Sequence, residues 1–118
     1  MFFGTNIAMY IPDSFNFKGL TNKMKKVAVL IKDPEQQYEG LRTSVGLLLE
    51  EIDVQMFVLH HEIATMDEAY RDNMEFFDEM KGDRFSNNSA NVEKYDFKYV
   101  RMADVAAKIN ESDIIIPL

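Results

Sequence analysis

The stretch Lys25–Asp33, KKVAVLIKD, decides how the rest of the chain is read. Two lysines lead into Val27-Ala28-Val29-Leu30-Ile31, and the run ends in Lys32, Asp33 and Pro34. A run this short and this rich in β-branched residues reads as a strand buried on both faces. A strand without a polar side needs strands beside it and helices above and below it, so the segments around it are expected to alternate between the two.

Downstream the expected alternation is found. Pro34 has no N–H and biases Asp33 away from helical geometry, so residues 33–37 read as a loop. The pattern then predicts a helix over 38–51, with Leu41, Val45, Leu48 and Ile52 on one stripe and Leu49 beside it. Burying that stripe contributes roughly 1.5–3 kcal/mol per side chain before entropy is counted. Gly46 lies inside this helix and is read as a point of close approach to the sheet. A second interior strand is predicted over 53–61, with Val54, Met56 and Val58 on one side and Gln55, Phe57 and Leu59 on the other.

Thr65 followed three residues on by Glu68 reads as a capping box opening a helix that runs to about Lys81. Its inward face is Met66, Ala69, Tyr70, Met74, Phe77 and Met80, and Gly82 is placed to close it. Residues 83–86 read as a short third strand, 90–94 as a short helix and 97–100 as a fourth strand. Residues 102–111 read as a last helix with Met102, Val105, Ala106 and Ile109 inward. Ile114-Ile115-Ile116-Pro117-Leu118 closes the fold and is placed in the sheet interior beside the first strand. The class is α/β: three layers, α/β/α, around a mostly parallel five-stranded sheet, flavodoxin-like in general form.

Upstream the pattern fails. Residues 1–23 carry Phe2, Phe3, Ile7, Met9, Tyr10, Ile11, Phe15 and Phe17 with no period of 2 or 3.6. They divide the chain into an N-terminal extension, 1–23, and an α/β domain, 24–118, which Met24 could itself begin. The extension reads either as a leader outside the core or as an arm that docks its rings on a neighbouring subunit. It has neither the basic start nor the continuous apolar stretch of a signal peptide.

Composition narrows the function. Hydrophobic residues make up 47 % of the 118, enough for one real core. The net charge of −7 argues against a nucleic-acid partner, which calls for clustered Lys and Arg. No apolar run approaches the roughly 20 residues that span a bilayer, so no membrane partner is expected. The chain has no cysteine, which excludes disulfides, thiol catalysis and persulfide carriage and fits a cytoplasmic setting.

In an open α/β sheet, ligands gather outside the carboxyl ends of the strands. That rim would hold Asp33, His60, His61, Glu62, Ser86, Asn87 and Asn88, which are the candidate ligand-binding residues. Adjacent histidines on a strand point to opposite faces, so His60 and His61 are not expected to share a metal. One carboxylate after the first strand is too few for a phosphoacceptor cluster around magnesium. Ser86 would be a nucleophile only with an imidazole beside it, and a turn hydroxyl is the plainer reading. No glycine-rich phosphate loop or nucleophile elbow occurs. Catalytic residues, metal and cofactor are therefore all read as none.

KKVAVLIKDPEQQYEGLRTSVGLLLEE, VQMFVLHHEI, RFSNN and YVRMADVAAKINESDIIIPL, taken together, resemble the DsrE/DsrF-like family of small sulfur-metabolism proteins over about Lys25–Leu118. The resemblance implies a compact α/β/α fold and assembly into homo- or hetero-oligomers, often trimers or hexamers. It also implies a persulfide-carrying cysteine in the loop after the third strand, where this chain has Ser86-Asn87-Asn88. A hydroxyl cannot hold a persulfide. The expected function is thus a non-catalytic, oligomeric accessory subunit with a protein partner in sulfur trafficking. The alternative is a small-ligand or metal-binding protein, or a minor enzyme, that uses the rim.

Overall fold

The computed structural model describes residues 26–118 apart from Thr65; the extension predicted over 1–23 lies outside them. Strand β1 (Lys26–Ile31) pairs with β2 (Asp53–Val58) on one side and with β5 (Ile114–Pro117) on the other, parallel to both. Val27, Ala28, Val29 and Ile31 are at most 1 % exposed, as a strand with no polar side requires. Beyond β2 come β3 (Asp83–Ser86) and β4 (Lys98–Tyr99), so the order is β4-β3-β2-β1-β5 and every pair is parallel. The architecture is α/β, five-stranded and three-layered.

Handedness explains the layers. From β1 to β4 each crossover moves one strand outward in the same direction. Right-handed connections therefore put α1 (Gln37–Leu49), α2 (Glu68–Glu79) and α3 (Ser89–Tyr95) on a single face. There Leu41, Val45, Leu48, Tyr70, Met74 and Phe77 pack with Val29, Ile31, Met56 and Ile116. The chain then returns past β1 to reach β5. The reversed step places α4 (Met102–Ile109) on the opposite face, where Val105 and Ile109 meet Ala28, Leu30, Phe57 and Phe85. Among the described residues no helix is long and apolar enough to cross a membrane.

Several local expectations are corrected. The closing strand lies beside β1 but at the sheet edge, and its Ile115 is part-exposed. Strand β2 stops at Val58, and His60 and His61 belong to the loop after it. Helix α2 begins two residues later than the Thr65 capping box implies and is capped by Asp67, whose carboxylate accepts from Tyr70 N at 2.8 Å and so satisfies a first-turn donor. Its left-handed closing residue is Lys81 (φ 69°) and not Gly82, whose missing side chain makes room for the Phe77 ring. Leu49, Ala69, Met102 and Ala106 face solvent.

Pro117 shapes the far end of β5. It has no N–H to give the ladder, so Leu118 N reaches Leu30 O instead, at 2.6 Å. The Leu118 carbonyl then accepts from Lys32 N at 3.0 Å and Asp33 N at 3.1 Å, which ties the exit of β1 to the chain's last residue.

The close approach of α1 to the sheet occurs at Gly40, not at Gly46. A methyl group at 40 would run into the buried Ile31 side chain, whereas nothing lies within 4 Å of one at 46. Gly40→Ala is expected to destabilise by about 1–3 kcal/mol through overpacking. Gly46→Ala should stabilise by up to about 1 kcal/mol through helix propensity. Urea denaturation midpoints of the two variants check both signs.

Candidate functional site

All five strands are parallel, so their carboxyl ends share one rim, and the loops leaving β1, β2 and β3 meet along it. The β2 and β3 loops are joined by one buried side chain. Asn91, fully buried in α3, accepts from Ile63 N at 2.9 Å through Oδ1 and donates through Nδ2 to His61 O at 2.9 Å and Ser86 Oγ at 3.0 Å. Gln37, at the start of α1, adds a second tie by accepting from Ala64 N at 3.0 Å. Neither residue was among the sequence candidates. The only signal for Asn91 was its place one turn after Asn88, in a segment that reads as cap chemistry.

Each candidate has a definite place. Asp33 is exposed at the exit of β1, where its Oδ1 caps a short 3-10 turn over Pro34–Gln36 by accepting from Glu35 N at 2.9 Å. Ser86 is fully buried, and its hydroxyl accepts from Asn88 N at 3.1 Å as well as from Asn91. The group that reaches Ser86 is an amide and not an imidazole, so an imidazole-activated nucleophile is not formed. Asn88 caps α3 by accepting from Ala90 N at 2.9 Å. Glu62 is paired with Lys94 at 2.7 Å on the surface.

Asn87 and His60 face each other across the gap between β2 and β3. His60 N donates to Asn87 Oδ1 at 2.7 Å, and Asn87 Nδ2 lies 3.2 Å from His60 Nδ1. His60 adopts a left-handed backbone, φ 75°, which is uncommon for a residue with a side chain. His61 turns inward. Its Nδ1 is 3.0 Å from the Leu59 carbonyl, which can only accept, so that nitrogen carries the proton. Nε2 is then a bare lone pair, buried and with no hydrogen-bond partner among the described residues.

Burial lowers the pKa of His61 from 6.5, outweighing the Leu59 carbonyl and the Asp33 charge, which act upward, while His60 adds to the lowering. What the rim offers chemically is one exposed carboxylate at Asp33, a buried imidazole lone pair at His61 and a rigid amide framework. Among the described residues no three His, Asp or Glu gather closely enough to hold a metal ion. No family model, curated protein or solved structure matches the chain.

Two outcomes follow from this geometry. Asn91→Ala strands the Ile63 N–H and the groups around it, and is expected to cost about 2–3 kcal/mol in chemical denaturation. His61 binds its proton less tightly folded than unfolded. The stability linked to it is therefore fully present above about pH 6.5 and is lost as pH falls through the folded-state value. Replacing His61 with Gln should flatten that acid-side slope in a pH series of melting curves.

Proposed function

We propose that this chain is a cysteine-less DsrE/F-like protein that acts by assembly and partner binding, without carrying sulfur itself. The five-stranded sheet with helices on both faces supports the kinship, since the resemblance implies that architecture. The observation that carries the reading is the fate of Ser86-Asn87-Asn88. At the place where the resemblance puts a persulfide cysteine, Ser86 is a buried anchor, Asn87 grips His60 and Asn88 caps a helix. A segment so committed to holding loops together has no group left for sulfur transfer. The protein is a non-catalytic cytoplasmic subunit, a homo-trimer or hexamer that meets a protein of sulfur trafficking.

A second reading keeps the rim as a small-ligand site, because Asp33, His60 and Asn87 face outward there. The two are separated by experiment. Light scattering of the full chain at high micromolar concentration is expected to return at least three times the monomer mass; a monomer there contradicts assembly. A thermal-shift screen of sulfur compounds, nucleotides and amines reports on the rim. A ligand at 100 times its Kd adds about 2.7 kcal/mol, several degrees, and the second reading expects that shift to vanish in Asp33→Ala.

A further inference from the structure

We propose that the Asn87–His60 clasp is an acid-sensitive latch between the β2 and β3 loops, one that closes only while the His60 ring is neutral.

The atoms assign themselves. A backbone N–H can only donate, so the Asn87 atom 2.7 Å from His60 N is its carbonyl oxygen. The amide nitrogen therefore faces the ring, 3.2 Å from Nδ1. An amide nitrogen donates and does not accept, so Nδ1 receives the bond on its lone pair and the ring proton sits on Nε2. Protonating the ring puts a hydrogen on Nδ1 and sets donor against donor. Turning the Asn87 amide over brings its oxygen to Nδ1, but then presents the NH2 group to the His60 N–H. No orientation of one carboxamide satisfies both contacts with an imidazolium.

The backbone is poised to respond. The clasp holds His60 at φ 75°, a conformation that is unfavourable for a residue with a Cβ. Neither the His60 amide nor its ring has another hydrogen-bond partner among the described residues. The loop beyond it is anchored separately, by Asn91 at His61 and Ile63 and by Gln37 at Ala64. Opening is thus confined to His60 and Asn87 and leaves the fold intact.

The charged groups nearest the clasp belong to the same rim. His61 is next along the loop and meets the His60 ring as a like charge when both are protonated, and Asp33, at the exit of β1, acts on the His61 ring. Glu62 is engaged by Lys94 on the α3 side.

The test is the hydrogen-exchange protection factor of the His60 amide in the full chain, measured by NMR at about pH 7.5 and about pH 5.5 to bracket imidazole titration. Protection should fall about five-fold in acid as one hydrogen bond is lost. Asn87→Asp should reverse the sign, because a carboxylate accepts from both the amide and a protonated Nδ1; Asn87→Ala should remove the dependence. Protection that does not change with pH in the wild type overturns the latch. So does a loss in Asn87→Asp that matches the wild type.

Discussion

A strand that has no polar side can exist only where both its edges and both its faces are covered, and β1 is such a strand. Val27, Ala28, Val29 and Ile31 have essentially no contact with solvent. Its edges are taken by β2 and β5, and its faces by helices on either side. Covering the second edge forces the chain to turn back after β4. Right-handed crossovers then dictate that the return uses the opposite face of the sheet. Three helices on one face and one on the other follow from that single demand. So does a rim at which every strand ends in the same direction, with the exit of β1 pinned by the Leu118 carbonyl.

The rim is the polar counterpart of that apolar centre. Loops that leave parallel strands carry backbone groups that a nearby core would strand, and each stranded group is costly. Here buried carboxamides take up that role. Asn91 satisfies an N–H and a C=O of the β2 loop and the Ser86 hydroxyl at the end of β3, while Gln37 reaches one residue further along. Once these bonds are made the loops have little freedom, and Ser86 and Asn88 are consumed in the framework. What is left facing outward is the Asp33 carboxylate, the clasped His60 and Asn87, and the surface pair of Glu62 with Lys94.

How far this was legible in the sequence depends on the kind of signal. Uninterrupted apolar runs at Val27–Ile31 and Ile114–Ile116 announce their strands, because burial on two faces leaves no other composition. The α1 stripe of Leu41, Val45 and Leu48 is equally plain. The edge position of β5 was not legible, since Ile114, Ile115 and Ile116 are as apolar as an interior strand although Ile115 is exposed. Lys81 taking the left-handed residue ahead of Gly82 was hidden for a different reason: Gly82 is required by the Phe77 ring, a contact made across space. At the rim, composition found His60, His61 and Ser86 but could not find Asn91, because a buried asparagine and a surface one look alike until the loops around them are placed.

With the Asn91 bonds made, the rim is a rigid extension of the core. Ile63 tests it most directly: it lies in a loop outside any helix or strand, yet its N–H is buried against Asn91 Oδ1. Native-state amide exchange is the measurement. A rigid rim means that the Ile63 amide opens only with global unfolding, at the same free energy as Val29 in β1. Exchange of Ile63 through local opening, well below that of Val29, would contradict it.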